Sequence, residues 1–177
     1  YAVPGVPFEM RLMMEGTILP DLRRRAGTTA VIRSRVVRTW GQTESGLAEI
    51  LAERIAELDR LGSPTLAFQA SGIEGIKVRI TAKAADEAAA EAVLAEEETR
   101  LRDMLGPIIF GTDDETMESV VIGAMREKGL TLAVAEGVTG GIAGTRLVLV
   151  PGADDVLRGT VVSPLEGEPP LGLPAAQ

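Results

Sequence analysis

TLAFQASGIEGIKVRITAK, residues 65–83, is the stretch whose reading decides the fold. In its second half Ile76, Val78 and Ile80 alternate with Lys77, Arg79 and Thr81, the period of two that puts apolar side chains on one face of a half-buried strand. In its first half Leu66, Phe68 and Ala70 alternate with Thr65, Ala67 and Gln69. GIEG, residues 72–75, joins the two runs, so the stretch predicts a β-hairpin. G-x-x-G is also the loop by which RNA-binding KH domains clamp a backbone, but that loop joins two helices and this one joins two strands, so it reads as turn chemistry.

Working upstream, Pro64 separates the hairpin from GLAEILAERIAEL, where Leu47, Ile50, Leu51, Ile55 and Leu58 recur at helical spacing. Before it, TAVIRSRVVRTW is rich in β-branched residues and predicts a strand that Gly41 breaks. Downstream, Asp86 is placed to cap a helix with the apolar stripe Ala90, Leu94, Leu101 and Leu105, which Gly106 and Pro107 end. Glu96 with Arg100, and Glu98 with Arg102, are four-apart pairs in the favourable order. The middle of the chain thus predicts strand, helix, strand, strand, helix: a three-stranded sheet with two helices on one face and Val78 buried.

The flanks differ. FEMRLMMEGTILPDLRRR carries apolar residues at 8, 12 and 19 that suit a helix, although Gly16 and Pro20 weaken its second half. Arg23, Arg24 and Arg25 fall at its end, where cations are favoured. After the short strand IIF, Thr112 and Glu115 fit a capping box opening a helix to about Lys128, with Asp113 and Asp114 serving the helix dipole. LTLAVAE predicts a further strand. From Ser163 the chain reads SPLEGEPPLGLPAAQ, whose four prolines and lack of apolar period predict a disordered tail.

Composition narrows the chemistry. With 45% apolar residues, 177 positions suffice for real cores. There is no cysteine and no histidine, which removes thiolate metal sites, cysteine nucleophiles and the usual general base. Neither a cofactor nor a metal is expected. No apolar run approaches the ~20 residues of a membrane span, and nothing resembles a signal peptide, so the expectation is a cytoplasmic protein without a membrane partner. The chain begins at Tyr1 and not Met, which reads as a piece of something longer. Net charge is -8, unevenly spread: residues 1–42 hold seven basic and three acidic side chains, residues 43–128 nine and eighteen, the remainder two and five. Acidity on this scale argues against nucleic acid as a partner. Lys77 and Arg79, with Arg33 and Arg35, are expected to form a basic face that meets acidic groups in a homo-oligomer or neighbouring domain.

AEGVTGG, residues 135–141, carries the functional question. An apolar run leads into it, and Thr139 is placed to cap a helix beginning at Gly140. Such strand-to-helix turns hold nucleophiles or phosphates. This one is open to three readings: a plain turn, a nucleotide-binding loop using the amides of Gly140 and Gly141, or an active site.

Three motifs in order, GVPFEM, DETMESVV, and AEGVTGG followed by TRLVLVPGADDVLRG, resemble stretches of the competence/damage-inducible CinA proteins, and the likeness covers nearly the whole chain. The resemblance implies that residues 1–27 end a molybdopterin-binding-like domain, which in the family carries ADP-ribose pyrophosphatase activity. It further implies a KH-like α+β domain over 28–110, the start of an α/β nicotinamide mononucleotide deamidase domain over 111–162, and a Pro-rich tail over 163–177. The family's turn reads A-E-S-x-T-G-G, with the serine as nucleophile; Gly137 stands there in this chain. A family tyrosine and lysine fall at Pro164 and Pro169, and no lysine follows Lys128. The resemblance therefore implies a pyridine-nucleotide salvage protein with no catalytic residue left at these positions, and Glu136, Thr139, Gly140 and Gly141 as residues facing a nucleotide ligand. The other reading is a non-catalytic KH-like module for dimerisation or weak nucleic-acid contact.

Overall fold

The β-branched run upstream of Trp40 forms the first strand, β1 (Val31–Thr39), of the computed structural model, which describes residues 1–27 and 30–163. The hairpin follows as expected. It comprises β2 (Thr65–Ala70), a 3-10 turn at Gly72–Glu74 and β3 (Ile76–Ala84), and the Ser71 amide donates to the Gly75 carbonyl at 2.9 Å. Along β3 the residues Ile76, Val78, Ile80 and Ala82 are buried, while Arg79 and Lys83 are exposed. Gly75 has φ +79, and a Cβ there would lie 2.2 Å from the Thr39 carbonyl oxygen, so glycine alone fits.

The sheet has four strands where three were expected, in the order β2-β3-β1-β4. The short run after Pro107 becomes β4 (Ile109–Thr112), antiparallel to β1 with Val37 opposite Thr112 and Arg38 opposite Gly111. The run IIF was expected as a short strand, but so few residues carry no pattern that names its partner. The result is a mixed α/β protein in which a KH-like strand-helix-strand-strand-helix order leads into a second α/β region.

Two compact units divide the described residues: Tyr1–Arg35, Ala48–Ala67 and Arg79–Met104 in the first; Val36–Leu47, Phe68–Val78 and the chain from Leu105 in the second. The first begins with α1 (Pro7–Met13), a π turn at Met14–Ile18 and α2 (Leu19–Ala26). Gly16 and Pro20 do not end this helix. They coincide with a wider turn in which the Leu19 amide reaches the Met14 carbonyl. Its apolar stripe is not a core stripe, since Phe8 is 70% exposed and Leu12 57%.

The helix expected over 46–58 is two pieces, α3 (Glu44–Ile50) and α4 (Ala52–Leu61). Leu51 leaves helical geometry between them, which buries Leu47, Leu51 and Leu58 but turns Ile50 outward, correcting its assignment to the core. Helix α5 (Glu87–Leu105) has its expected cap, the Ala89 amide on Asp86 Oδ1 at 2.8 Å, and its buried stripe Ala90, Leu94, Leu101 and Leu105. Both four-apart pairs form, Arg100 to Glu96 at 2.7 Å and Arg102 to Glu98 at 2.8 Å. Glu97, buried, receives Arg54 through Nε at 3.0 Å and through a second guanidinium nitrogen. Contact with Glu97 raises the Arg54 pKa further still.

Three of the four cations expected to form a basic face are paired within the chain, while Arg79 is exposed with no ion pair among the described residues. Arg33 pairs with Glu87, Arg35 with Glu91 and, at 2.8 Å, with Glu98, and Lys77 with Glu74 at 2.8 Å. Acidic side chains one element away outcompete an outside partner because they are already held in place.

In the second unit, α6 (Met117–Glu127) packs Ile122 with Ala153 and Val156, ringed by Met125, Leu132, Leu147 and Val150. Its capping box is formed by Thr116 and Ser119, not Thr112 and Glu115. Thr112 is committed to the β4 ladder, and Glu115 Oε2 closes the preceding turn on the Thr112 amide at 2.7 Å. Asp113 likewise serves the sheet, accepting the Val36 amide at 2.8 Å. No helix among the described residues is long and apolar enough to cross a membrane. Of the tail expected to be disordered over 163–177, Ser163 is held by its amide on the Glu136 carbonyl at 2.7 Å, and the rest, with Pro164 and Pro169, lies outside the described residues.

Candidate functional site

Strand β5 (Leu132–Glu136) lies parallel to β6 (Leu157–Val162), with Glu136 opposite Val162 at the carboxyl end of the pair. There the chain turns through Gly137–Gly141 into α7 (Ile142–Val148). Carboxyl ends of parallel strands are where open α/β sheets gather their ligands, because the following helix N-termini point the same way.

Glu136 organises the turn. Its side chain is buried, and Oε2 accepts the Thr139 hydroxyl at 2.6 Å and the Ala143 amide at 3.0 Å, while Oε1 accepts the Gly144 amide at 2.6 Å. The cap expected from Thr139 is therefore supplied by Glu136. The helix starts at Ile142, its N-cap is Gly141, which has no side chain to offer, and the first-turn amides take the nearest carboxylate. Gly144 makes room for this. A Cβ there would lie 2.4 Å from Thr160 Cγ2 and 2.9 Å from Glu136 Oε1.

Of the residues expected to face a nucleotide, the structure brings all four into this one turn. Thr139 donates its proton to Glu136, Gly140 donates its amide to the Gly137 carbonyl at 3.1 Å, and the Gly141 amide is directed to Glu136. The Thr139 hydroxyl, then the amides of Gly144, Ala143 and Gly141, hold the Glu136 carboxyl below the usual carboxylate range, against the opposing effect of burial. It is a poor proton acceptor at neutral pH. The same carboxylate sits where a phosphate at the helix start would have to bind.

Beside the turn, the second unit contains a cleft of about 610 Å³ with Trp40, Phe110, Met117, Val121, Ile142 and Leu147 in its walls. Arg38, Glu74, Glu118, Thr139 and Arg146 supply its polar groups. Arg146 is bonded to Glu118, and Arg38 Nη1 stands 3.6 Å from Glu74. Contact with Glu118 raises the Arg146 pKa; burial pushes the Glu118 carboxyl up, and Arg146 with the helix-cap groups more than reverses it. Sequence reasoning missed this cleft. Its lining comes from β1, the hairpin turn, β4, α6 and α7, and no local pattern connects them.

Two family models match: the damage-inducible protein CinA KH domain over residues 34–111 and the CinA C-terminal domain over residues 114–164. Among curated relatives, a CinA-like protein of Frankia casuarinae is 49% identical over 92% of this chain and 37% of its own length. One of Gloeobacter violaceus is 44% identical over 90% and 36%, and one of Synechococcus sp. is 42% identical over 90% and 37%. The chain thus spans a little over a third of the length of these relatives. On matched motifs, both domain models and this identity, the chain belongs to the CinA family.

Proposed function

We propose that this chain is part of a CinA-type protein of pyridine-nucleotide salvage whose deamidase turn has lost its chemistry and keeps a binding role, with Thr139 on the ligand-facing wall and Glu136, Gly140 and Gly141 fixing the turn behind it. One observation carries the reading: the hydroxyl nearest the turn, Thr139, gives its proton to a carboxylate held ionised by backbone amides. Covalent amide hydrolysis needs a nucleophile and a base able to take its proton; Gly137 has no side chain, and Glu136 has its lone pairs engaged. Incubation with nicotinamide mononucleotide is expected to release no ammonia above background. Release by the unmodified chain that Thr139→Ala abolishes would overturn the reading and make Thr139 the nucleophile.

Self-association is a second reading, favoured by the exposed Phe8, Leu12, Met13 and Leu22 of the N-terminal helical segment. Phe8→Asp is then expected to lower the sedimentation coefficient at high protein concentration, and an unchanged profile rejects it. Nucleic-acid contact is disfavoured by Glu74 inside the hairpin turn and by the paired arginines of β1. Single-stranded RNA should give no gel shift at low salt.

A further inference from the structure

The cleft of the second unit has a chemistry that the nucleotide reading does not use. Its volume of about 610 Å³ suits a small molecule, and two aromatic rings, Trp40 and Phe110, stand in walls that are otherwise mostly aliphatic. Its charged groups are already engaged. Arg38 donates through Nε to the Asp113 carbonyl at 2.7 Å and stands 3.6 Å from Glu74, which is bonded to Lys77; Arg146 is bonded to Glu118. Thr116, also on the wall, already accepts the Ser119 amide at 3.1 Å. A charged ligand would have to open the Arg146–Glu118 pair, or draw Arg38 off the Asp113 carbonyl, and leave the freed group against an apolar wall.

Thr139 is different. Its single proton is committed to Glu136 Oε2 at 2.6 Å, and among the described residues no donor reaches its oxygen. A hydroxyl in that state has only lone pairs to offer. We propose that the cleft binds a neutral aromatic molecule carrying one N–H or O–H donor, with Thr139 Oγ1 as the acceptor and Glu136 as the positioning residue that fixes which way the hydroxyl points. Stacking on Trp40 and Phe110 supplies affinity, and the donor supplies orientation.

Trp40 is the only tryptophan in the chain, which makes it an internal reporter. The probe is N-phenyl-1-naphthylamine, neutral with one N–H, read by excitation transfer from Trp40. Its N-methyl derivative lacks the donor, and its 8-sulfonate carries a charge. The parent probe is expected to bind saturably, the N-methyl derivative about three- to tenfold more weakly, as befits one net neutral hydrogen bond, and the sulfonate more weakly than the parent. Thr139→Val should bring the parent down to the level of the N-methyl derivative without changing the derivative itself, and Thr139→Ser should restore the difference.

Equal affinity of parent and N-methyl probes for the unmodified chain would overturn the proposal without recourse to any variant. So would absence of saturable transfer, tighter binding of the sulfonate, or an equal loss of both neutral probes in Thr139→Val. Ammonia release plays no part in these measurements, so this proposal and the deamidase reading stand or fall separately.

Discussion

Glu97 in the first unit and Glu136 in the second are both buried carboxylates, 1% and 5% exposed, and they are satisfied by opposite means. Glu97 meets a full cation, with Arg54 reaching both of its oxygens. Glu136 meets only dipoles: a hydroxyl and the amides at the start of α7. The first arrangement is electrically closed and ties α4 to α5. The second leaves a whole negative charge spread over a turn, with its geometry fixed and its field uncancelled. A neutral pair is what a scaffold needs; an uncompensated, fully bonded charge orients neighbouring hydroxyls and excludes other anions.

The comparison can be broken most severely at Glu97. Glu97→Ala leaves the Arg54 guanidinium in a site 10% exposed, with only the half-exposed Glu57 at 2.6 Å to answer it, and should lower unfolding free energy by about 3 kcal/mol in urea titrations. Replacing both partners, Arg54→Met with Glu97→Leu, should recover to within about 1 kcal/mol of the unmodified chain. If the double replacement is as damaging as the single one, Glu97 is not a closed ion pair.

Gly144→Ala tests the second arrangement by volume. With Thr160 Cγ2 2.4 Å from the added carbon, α7 must move off β6, and a loss of about 1–3 kcal/mol is expected, partly recovered by Thr160→Ser. Glu136→Gln sharpens the contrast further. An amide offers one acceptor oxygen in place of two and turns an N–H toward the helix start, so exchange of the Ala143 and Gly144 amides should accelerate at least tenfold while β3 amides stay protected. Uniform acceleration across both units would mean that Glu136 supports the whole fold and not the turn.

Acid gives a smaller effect of defined sign. The folded-state pKa of Glu136 lies below its ordinary value of 4.5, so its contribution to stability is complete above that value and is lost as pH falls through the depressed one. The amides of the first α7 turn should therefore lose protection below pH 4.5 in the unmodified chain, and Glu136→Gln should lack this dependence. The smallest expected change is at the Lys77–Glu74 pair. Reversing Lys77, whose pair with Glu74 is partly exposed, should move the melting midpoint by no more than a degree or two.

How much of this could be read in advance depended on the range of the interaction. The β3 alternation and the α5 stripe are patterns within one element, and they appear in the structure residue for residue. The Asp86 cap spans three residues and was equally legible. The Glu136 cap reaches seven and eight residues ahead across a turn, beyond any local capping rule, so the same amides were assigned to Thr139. Pairing of β4 with β1, and the bend at Leu51 that exposes Ile50, arise from tertiary packing that overrides propensity. Family likeness identified the turn without revealing what its side chains do there.

The G-x-x-G hairpin shows how two identical letters can answer to different constraints. At Gly72, φ is +55 and nothing lies within 4 Å of an added Cβ, so asparagine or aspartate should be accepted at slight expense. At Gly75 the backbone of β1 blocks every side chain. In a library randomised at both positions and sorted for folded protein, the first glycine should dissolve into a mixture of small polar residues and the second should survive alone. The motif is a record of one close backbone contact.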